Sequence, residues 1–164
     1  MSYRQEITTQ GLVFHPQKKP EATIFWLHGL GASATDFADI PSYFSDIAPK
    51  PTRFICPQAP TQKVTCNDSM TMPAWYDILG FEISSPIDYA GIIHSVSWLK
   101  SQITAQIDMG IPSQSIILAG FSQGAVISIL AALSFKLPLA GVIAASGYTP
   151  PAIENHLPLI QSMS

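Results

Sequence analysis

Ser122 is the residue best placed to do covalent chemistry, because of what stands two positions to either side of it. It is the centre of Gly120-Phe121-Ser122-Gln123-Gly124, a G-x-S-x-G spacing. Upstream, Ile116-Ile117-Leu118-Ala119 is short, apolar and rich in β-branched residues, which reads as a buried strand. Downstream, small and apolar residues continue to about Leu133 and read as a helix. A strand-to-helix turn this sharp forces its central serine into a strained conformation, and the flanking glycines remove the Cβ atoms that would block it. The hydroxyl is then exposed at a helix N-terminus, where free N–H groups and the helix dipole favour developing negative charge. The chemistry this predicts is attack on an acyl carbonyl. Such attack needs donors for the tetrahedral oxyanion and a base for the serine proton. One donor is expected from the residue after the nucleophile, Gln123, and the other from a loop after an earlier strand. His28-Gly29-Leu30-Gly31 follows the apolar run Thr23–Leu27, and glycines flank Leu30 so that its N–H can turn inward.

The base is harder to find. The chain has four histidines. His28 belongs to the oxyanion loop. His94 stands beside the apolar stripe of a long helix, and His15 precedes a proline near the first strand. Glu154 and His156 are the one acid–histidine pair after Ser122, but they are two residues apart and on a helix would face different ways. Asp77 follows Trp75-Tyr76 and reads as a residue that holds a loop. Asp36, Asp39 and Asp46 read as the polar face of their helix. Cys56 ends a strand and reads as core, whereas Cys66 stands in a loop with nothing to mark it as a nucleophile.

The elements that must position these groups alternate. Leu12–Phe14, Thr23–Leu27, Arg53–Cys56, Ile116–Ala119 and Leu139–Ala145 are strand candidates. Ser33 or Thr35 caps a helix to about Phe44, broken or kinked at Pro41. Residues 57–74 read as a long irregular loop. Ser84 or Ser85, before Pro86, opens the longest helix, which runs to about Met109. Ile92, Val96, Leu99, Ile103 and Ile107 form its core-facing stripe, and Gly110 its C-terminal cap. The tail after Gly147 has room for one short helix. Alternation of this kind predicts an α/β fold, a mainly parallel sheet covered on both faces, with ligands at the carboxyl ends of the strands. Ser122 and the Leu30 loop both lie on that edge.

Composition narrows the partners. At 164 residues, with 47% hydrophobic and 12% charged, the chain is one domain without long polar tails. A net charge of −3 without a basic cluster argues against nucleic acid. No apolar run approaches a membrane span, and the polar stretch Met1–Gln10 has no signal-peptide core. Two cysteines make no disulfide framework, so a cytoplasmic protein is the expectation.

Several further pieces fall in order along nearly the whole chain: Phe25–Ala32, Arg53–Pro60, Met72–Ile78, Gly110-Ile111-Pro112, Ala119–Ala125 and Ser146-Gly147-Tyr148. In these the sequence resembles the bacterial carboxylesterases related to acyl-protein thioesterases and lysophospholipases, within the α/β-hydrolases. The resemblance implies Ser122 as nucleophile, Leu30 and Gln123 as oxyanion donors, and Gly29, Gly31 and Trp75 along the substrate pocket. It implies small acyl ester or thioester substrates, with no metal or cofactor. Members of that family continue past the equivalent of Tyr148 with two further strands and a final helix, which bring the catalytic aspartate and histidine. The expectation for residues 1–164 is therefore a single but incomplete α/β-hydrolase domain, impaired for want of its base. A non-catalytic module is the alternative. Either way, Leu139–Ala145 would present an open apolar edge, suited to self-association or to pairing with the missing C-terminal part.

Overall fold

The computed structural model describes residues 3–44, 47–80, 82 and 84–156. Its centre is a six-stranded sheet. The strands are β1 (Tyr3–Thr8), β2 (Gly11–Pro16), β3 (Ala22–Leu27), β4 (Thr52–Pro57), β7 (Ile116–Phe121) and β8 (Gly141–Ala145), in the spatial order β1-β2-β4-β3-β7-β8. The pairs β4–β3, β3–β7 and β7–β8 are parallel, whereas β1–β2 and β2–β4 are antiparallel. The expected mainly parallel sheet is therefore present with an antiparallel edge. Strand β1 was not anticipated, because Tyr3–Thr8 is polar: it has one neighbour, β2, and its side chains past Tyr3 are exposed.

The sheet is covered on both faces. On one lie α2 (Tyr89–Asp108) and α3 (Gln123–Ser134), whose apolar stripes meet Phe25, Leu27, Ile116 and Leu118. Ile92, Val96, Leu99 and Ile103 are all fully buried there, and Ile107 packs at the margin. The other face carries a 3₁₀ turn, Ala34–Phe37, and the short helix α1 (Ile40–Phe44) over Leu12, Phe14, Ile24, Phe54 and Cys56. Ser33 caps the 3₁₀ turn and Asp36 returns the bond, accepting from the Ser33 N–H at 2.9 Å. Pro41 sits in the first turn of α1, so one expected helix is two short pieces. Asp46 lies outside the described residues.

Three boundaries differ from expectation. Residues 57–74 are not an irregular loop: β5 (Thr61–Val64) and β6 (Met70–Pro73) form an antiparallel hairpin. Its polar, methionine-bearing strands lack the apolar alternation that would announce them. The long helix starts at Tyr89, because the Asp88 carboxylate accepts from the Gly91 N–H at 2.9 Å and caps it there, later than Ser84 or Ser85. Strand β8 begins at Gly141, two residues later than expected. The helix end at Gly110, with φ +94°, and the elbow boundaries fall where the pattern puts them.

Among the described residues β8 is the outermost strand on its side. Val142 and Ile143 remain 39% and 41% exposed, and no charge or proline interrupts Gly141–Ala145. No helix among the described residues is long and apolar enough to cross a membrane.

Candidate functional site

Strand β7 ends at Phe121 and α3 begins at Gln123, so Ser122 is the whole turn between them. Its backbone stands at φ 53° and ψ −120°, a conformation rare outside glycine that costs roughly 1–3 kcal/mol. What holds it there is visible. The Ser122 N–H donates to Ala145 O of β8 at 2.9 Å, and its carbonyl accepts from the Ala125 and Val126 N–H groups. Gly124 lets α3 lie directly on β3: a Cβ there would stand 2.3 Å from Leu27 O and 2.7 Å from His28 O.

The loop after β3 arrives from the other side. A Cβ on Gly29 would be 3.3 Å from Ser122 Cβ and 3.2 Å from a Phe121 ring carbon, so this backbone lies against the serine. The Gly31 N–H is engaged, donating to Pro73 O of β6 at 2.8 Å. Among the described residues the Leu30 and Gln123 N–H groups have no backbone or side-chain acceptor. Leu30 and Ser122 are half-buried, at the carboxyl ends of β3 and β7. Ser122, Leu30, Gln123, Gly29 and Gly31 thus lie at one edge of the sheet, with Ser122 also at the positive end of a 12-residue helix.

His28 is fully buried and both ring nitrogens are engaged. Nδ1–H donates to Gly29 O at 2.7 Å, and Nε2 accepts from the Ala59 N–H at 3.0 Å, with Gln58 Nε2 at 3.3 Å. These partners fix the neutral Nδ1–H tautomer. Burial holds its pKa below the usual histidine value, although the Gly29 carbonyl and Asp36 act in the opposite direction. His28 therefore shapes the loop. Gln58, to which sequence reading gave no role, also accepts from the Ala34 N–H at 3.0 Å and so ties the loop to the first helical turn. Its signal was present in Pro57-Gln58-Ala59-Pro60, but nothing local says what a glutamine after a strand will meet.

Trp75 is only 3% exposed. It lines a cavity of about 240 Å³ together with Gln58, Pro60, His94, Ser95 and Trp98. Its backbone N–H donates to Gln123 Oε1 at 3.0 Å, and its indole N–H to His28 O at 2.8 Å. The Gln123 amide continues the clamp, donating from Nε2 to Tyr76 O at 2.8 Å. The Tyr76 phenol is raised in pKa by burial, and further by the Tyr148 hydroxyl beside it. Asp77 takes both donors of Thr65, its N–H at 2.7 Å and its hydroxyl at 2.6 Å, and so fastens the β5–β6 hairpin.

The remaining candidates lie elsewhere. His15 pairs with Glu6 at 2.9 Å on the β1–β2 hairpin. His156 stacks on Tyr89 with ring centroids 3.9 Å apart, and Glu154 is exposed. His94 faces the cavity beside Trp75. Cys56 is buried, which pushes its thiol up to about 12, and Cys66 is a free, half-buried thiol. Among the described residues no group of three or more His, Cys, Asp or Glu side chains could hold a metal ion.

The phospholipase/carboxylesterase family pattern matches residues 9–160. The chain is 38% identical over 139 residues to acyl-protein thioesterase 1 of Schizosaccharomyces pombe, covering 85% of this chain and 61% of that protein. It is 40% identical over 154 residues to acyl-protein thioesterase 1 of Mycosarcoma maydis, covering 85% and 63%. Its fold is similar to the crystal structure of Arabidopsis thaliana SOBER1, with TM-score 0.74 and 29% identity over 81% of this chain and 64% of that one. The chain thus spans less than two thirds of the length of each of these relatives.

Proposed function

The chain belongs to the phospholipase/carboxylesterase family, and on that premise we propose that it carries the acylation half of a serine ester or thioester hydrolase. Ser122 Oγ attacks the acyl carbon. Its proton passes to a base, and the carbonyl oxygen becomes an oxyanion held by the Leu30 and Gln123 N–H groups. Collapse breaks the C–O or C–S bond, the leaving group takes the proton, and water then hydrolyses the acyl-serine. The observation that carries this reading is a serine at φ 53° against the Gly29 backbone, with the Leu30 and Gln123 N–H groups without a protein acceptor among the described residues. The Gly29 backbone, which lies against Ser122, and Gly31 would border the acyl site, and Trp75 reaches the same loop through His28 O. The acyl-protein thioesterases among its relatives support acyl esters or thioesters as the substrate class.

The base is proposed to come from outside residues 1–164. Three of the four histidines are engaged, at Gly29 and Ala59, at Glu6 and on Tyr89. The fourth, His94, lines the cavity behind Trp75. The free edge of β8, whose Ala145 O accepts from the Ser122 N–H, is where a further strand would add, from a C-terminal part or a second copy. Without that addition the residues described form an impaired hydrolase, and the same edge supports the second reading, a self-associating module that turns nothing over. Two free cysteines fit a reducing compartment such as the cytoplasm.

Active-site titration with a fluorophosphonate tests the reading, with intact mass as readout and Ser122→Ala as control. One phosphonyl group per chain, absent in the variant, is the expected result. A folded wild-type chain that remains unlabelled after prolonged exposure refutes it. Labelling that is slow alone and accelerates when the C-terminal part of a relative is supplied separates the impaired hydrolase from the inert module.

A further inference from the structure

We infer that Trp75 is a positioning residue for the oxyanion site, a spacer that sets the separation of the Leu30 and Gln123 N–H groups; this rests on the serine-hydrolase reading of Ser122. The two donors belong to different elements. Leu30 hangs from the end of β3 and Gln123 opens α3, and neither backbone is bonded to the other. Trp75 bridges them. Its main-chain N–H donates to the Gln123 side chain, and its indole N–H donates to His28 O, two residues before Leu30. Both ends of the bridge are themselves braced. The Ser95 hydroxyl of α2 donates to Trp75 O, and the Gln123 amide reaches on to Tyr76 O. The His28 ring is held between Gly29 O and the Ala59 N–H, and its centroid lies 5.4 Å from that of Trp75.

Every polar group of Trp75 is therefore engaged, on three different elements, and the residue is almost wholly buried. That is the placement of a strut rather than of a side chain offered to a substrate. Rigid fixing of donors matters here because an oxyanion hole works by being in place before charge develops, so that no reorganisation accompanies the reaction. Trp75→Phe keeps the aromatic body against His28 and Trp98 but removes the indole N–H that donates to His28 O. The Leu30 loop then loses its tie to Gln123.

The test is the rate of phosphonylation of Ser122 by a series of alkyl fluorophosphonates of increasing chain length, in wild type, Trp75→Phe, Ser95→Ala and Ser122→Ala. Removing an oxyanion donor outright costs roughly 100 to 1000-fold, so a donor displaced but still present should cost on the order of 10-fold. The expected result is a loss of that size in Trp75→Phe, by the same factor at every chain length, and a smaller loss in Ser95→Ala. A loss that grows with chain length means that Trp75 lines the acyl pocket, and this overturns the inference; so does an unchanged rate in a folded Trp75→Phe. The amide resonance of Leu30 is the second readout and needs no reaction at Ser122. It should shift in both variants, and a Leu30 resonance unmoved in a folded Trp75→Phe overturns the positioning role. A wild-type chain unlabelled at Ser122, with Leu30 shifted in Trp75→Phe, instead places the failure in the hydrolase reading.

Discussion

Adding one methyl group to Gly124 should separate the two halves of the proposed oxyanion site. The new Cβ would stand 2.3 Å from Leu27 O and 2.7 Å from His28 O, both backbone atoms that cannot rotate away. To reach van der Waals distance, the first turn of α3 and the end of β3 must part by about 1 Å. Those two segments carry Gln123 and, two residues past His28, Leu30. A misplacement of about 1 Å at a reacting centre costs on the order of 100-fold. Overpacking of this kind also destabilises by roughly 1–3 kcal/mol, a fall in Tm on the order of 5 °C for a chain of this size. Gly141→Ala is the control, since a Cβ there meets nothing within 4 Å. The assay is a thermal melt of both variants, together with their rates of Ser122 phosphonylation. Gly124→Ala should melt earlier and react about 100-fold more slowly, while Gly141→Ala matches wild type in both. A Gly124→Ala chain that melts and reacts like Gly141→Ala would refute the close approach of α3 to β3, and with it the reasoning that crowding there displaces the donors.

The other predictions address the scaffold. Burial holds the His28 pKa below its unfolded value, so the unfolded chain takes up the proton first as pH falls. The stability that neutral His28 contributes is thus complete above the unfolded value, near 6.5, and is lost as pH drops toward the folded one; urea midpoints from pH 7.5 to 5 should decline, and less steeply in His28→Gln. Asp77→Ala removes the acceptor of both Thr65 donors, so amide exchange across 65–70 should accelerate while α2 and α3 keep their protection. Leu99→Ala, at a fully buried position on α2, should cost roughly 2–5 kcal/mol by urea unfolding. Ile143→Lys puts a charge on the exposed apolar strand β8, and light scattering at rising concentration should show less association than wild type.

What could be read from residues alone follows the range of the interactions. The elbow was legible because its cause is local: two glycines and a serine fix a turn, and the apolar runs on either side fix what it joins. The stripe on α2 was legible because helical period and burial agree at Ile92, Val96, Leu99 and Ile103. The hairpin at 61–73 and strand β1 were not, because polar strands are stabilised by pairing with a neighbour that the sequence does not name. The start of α2 was misplaced for a related reason. Ser84 and Ser85 are as good capping residues as Asp88, but one Asp88 oxygen also accepts from the Asp77 N–H at 2.9 Å. The cap is thus chosen by the segment that follows Trp75, eleven residues earlier in the chain. The role proposed for Trp75 rests on the same principle. A tryptophan near a candidate nucleophile reads from sequence as pocket wall. What distinguishes a wall from a strut is the destination of its N–H groups, and both destinations, His28 O and Gln123 Oε1, lie more than forty residues away. The spacing of chemical groups is written locally, whereas the rigidity that makes them useful is held by contacts between distant segments.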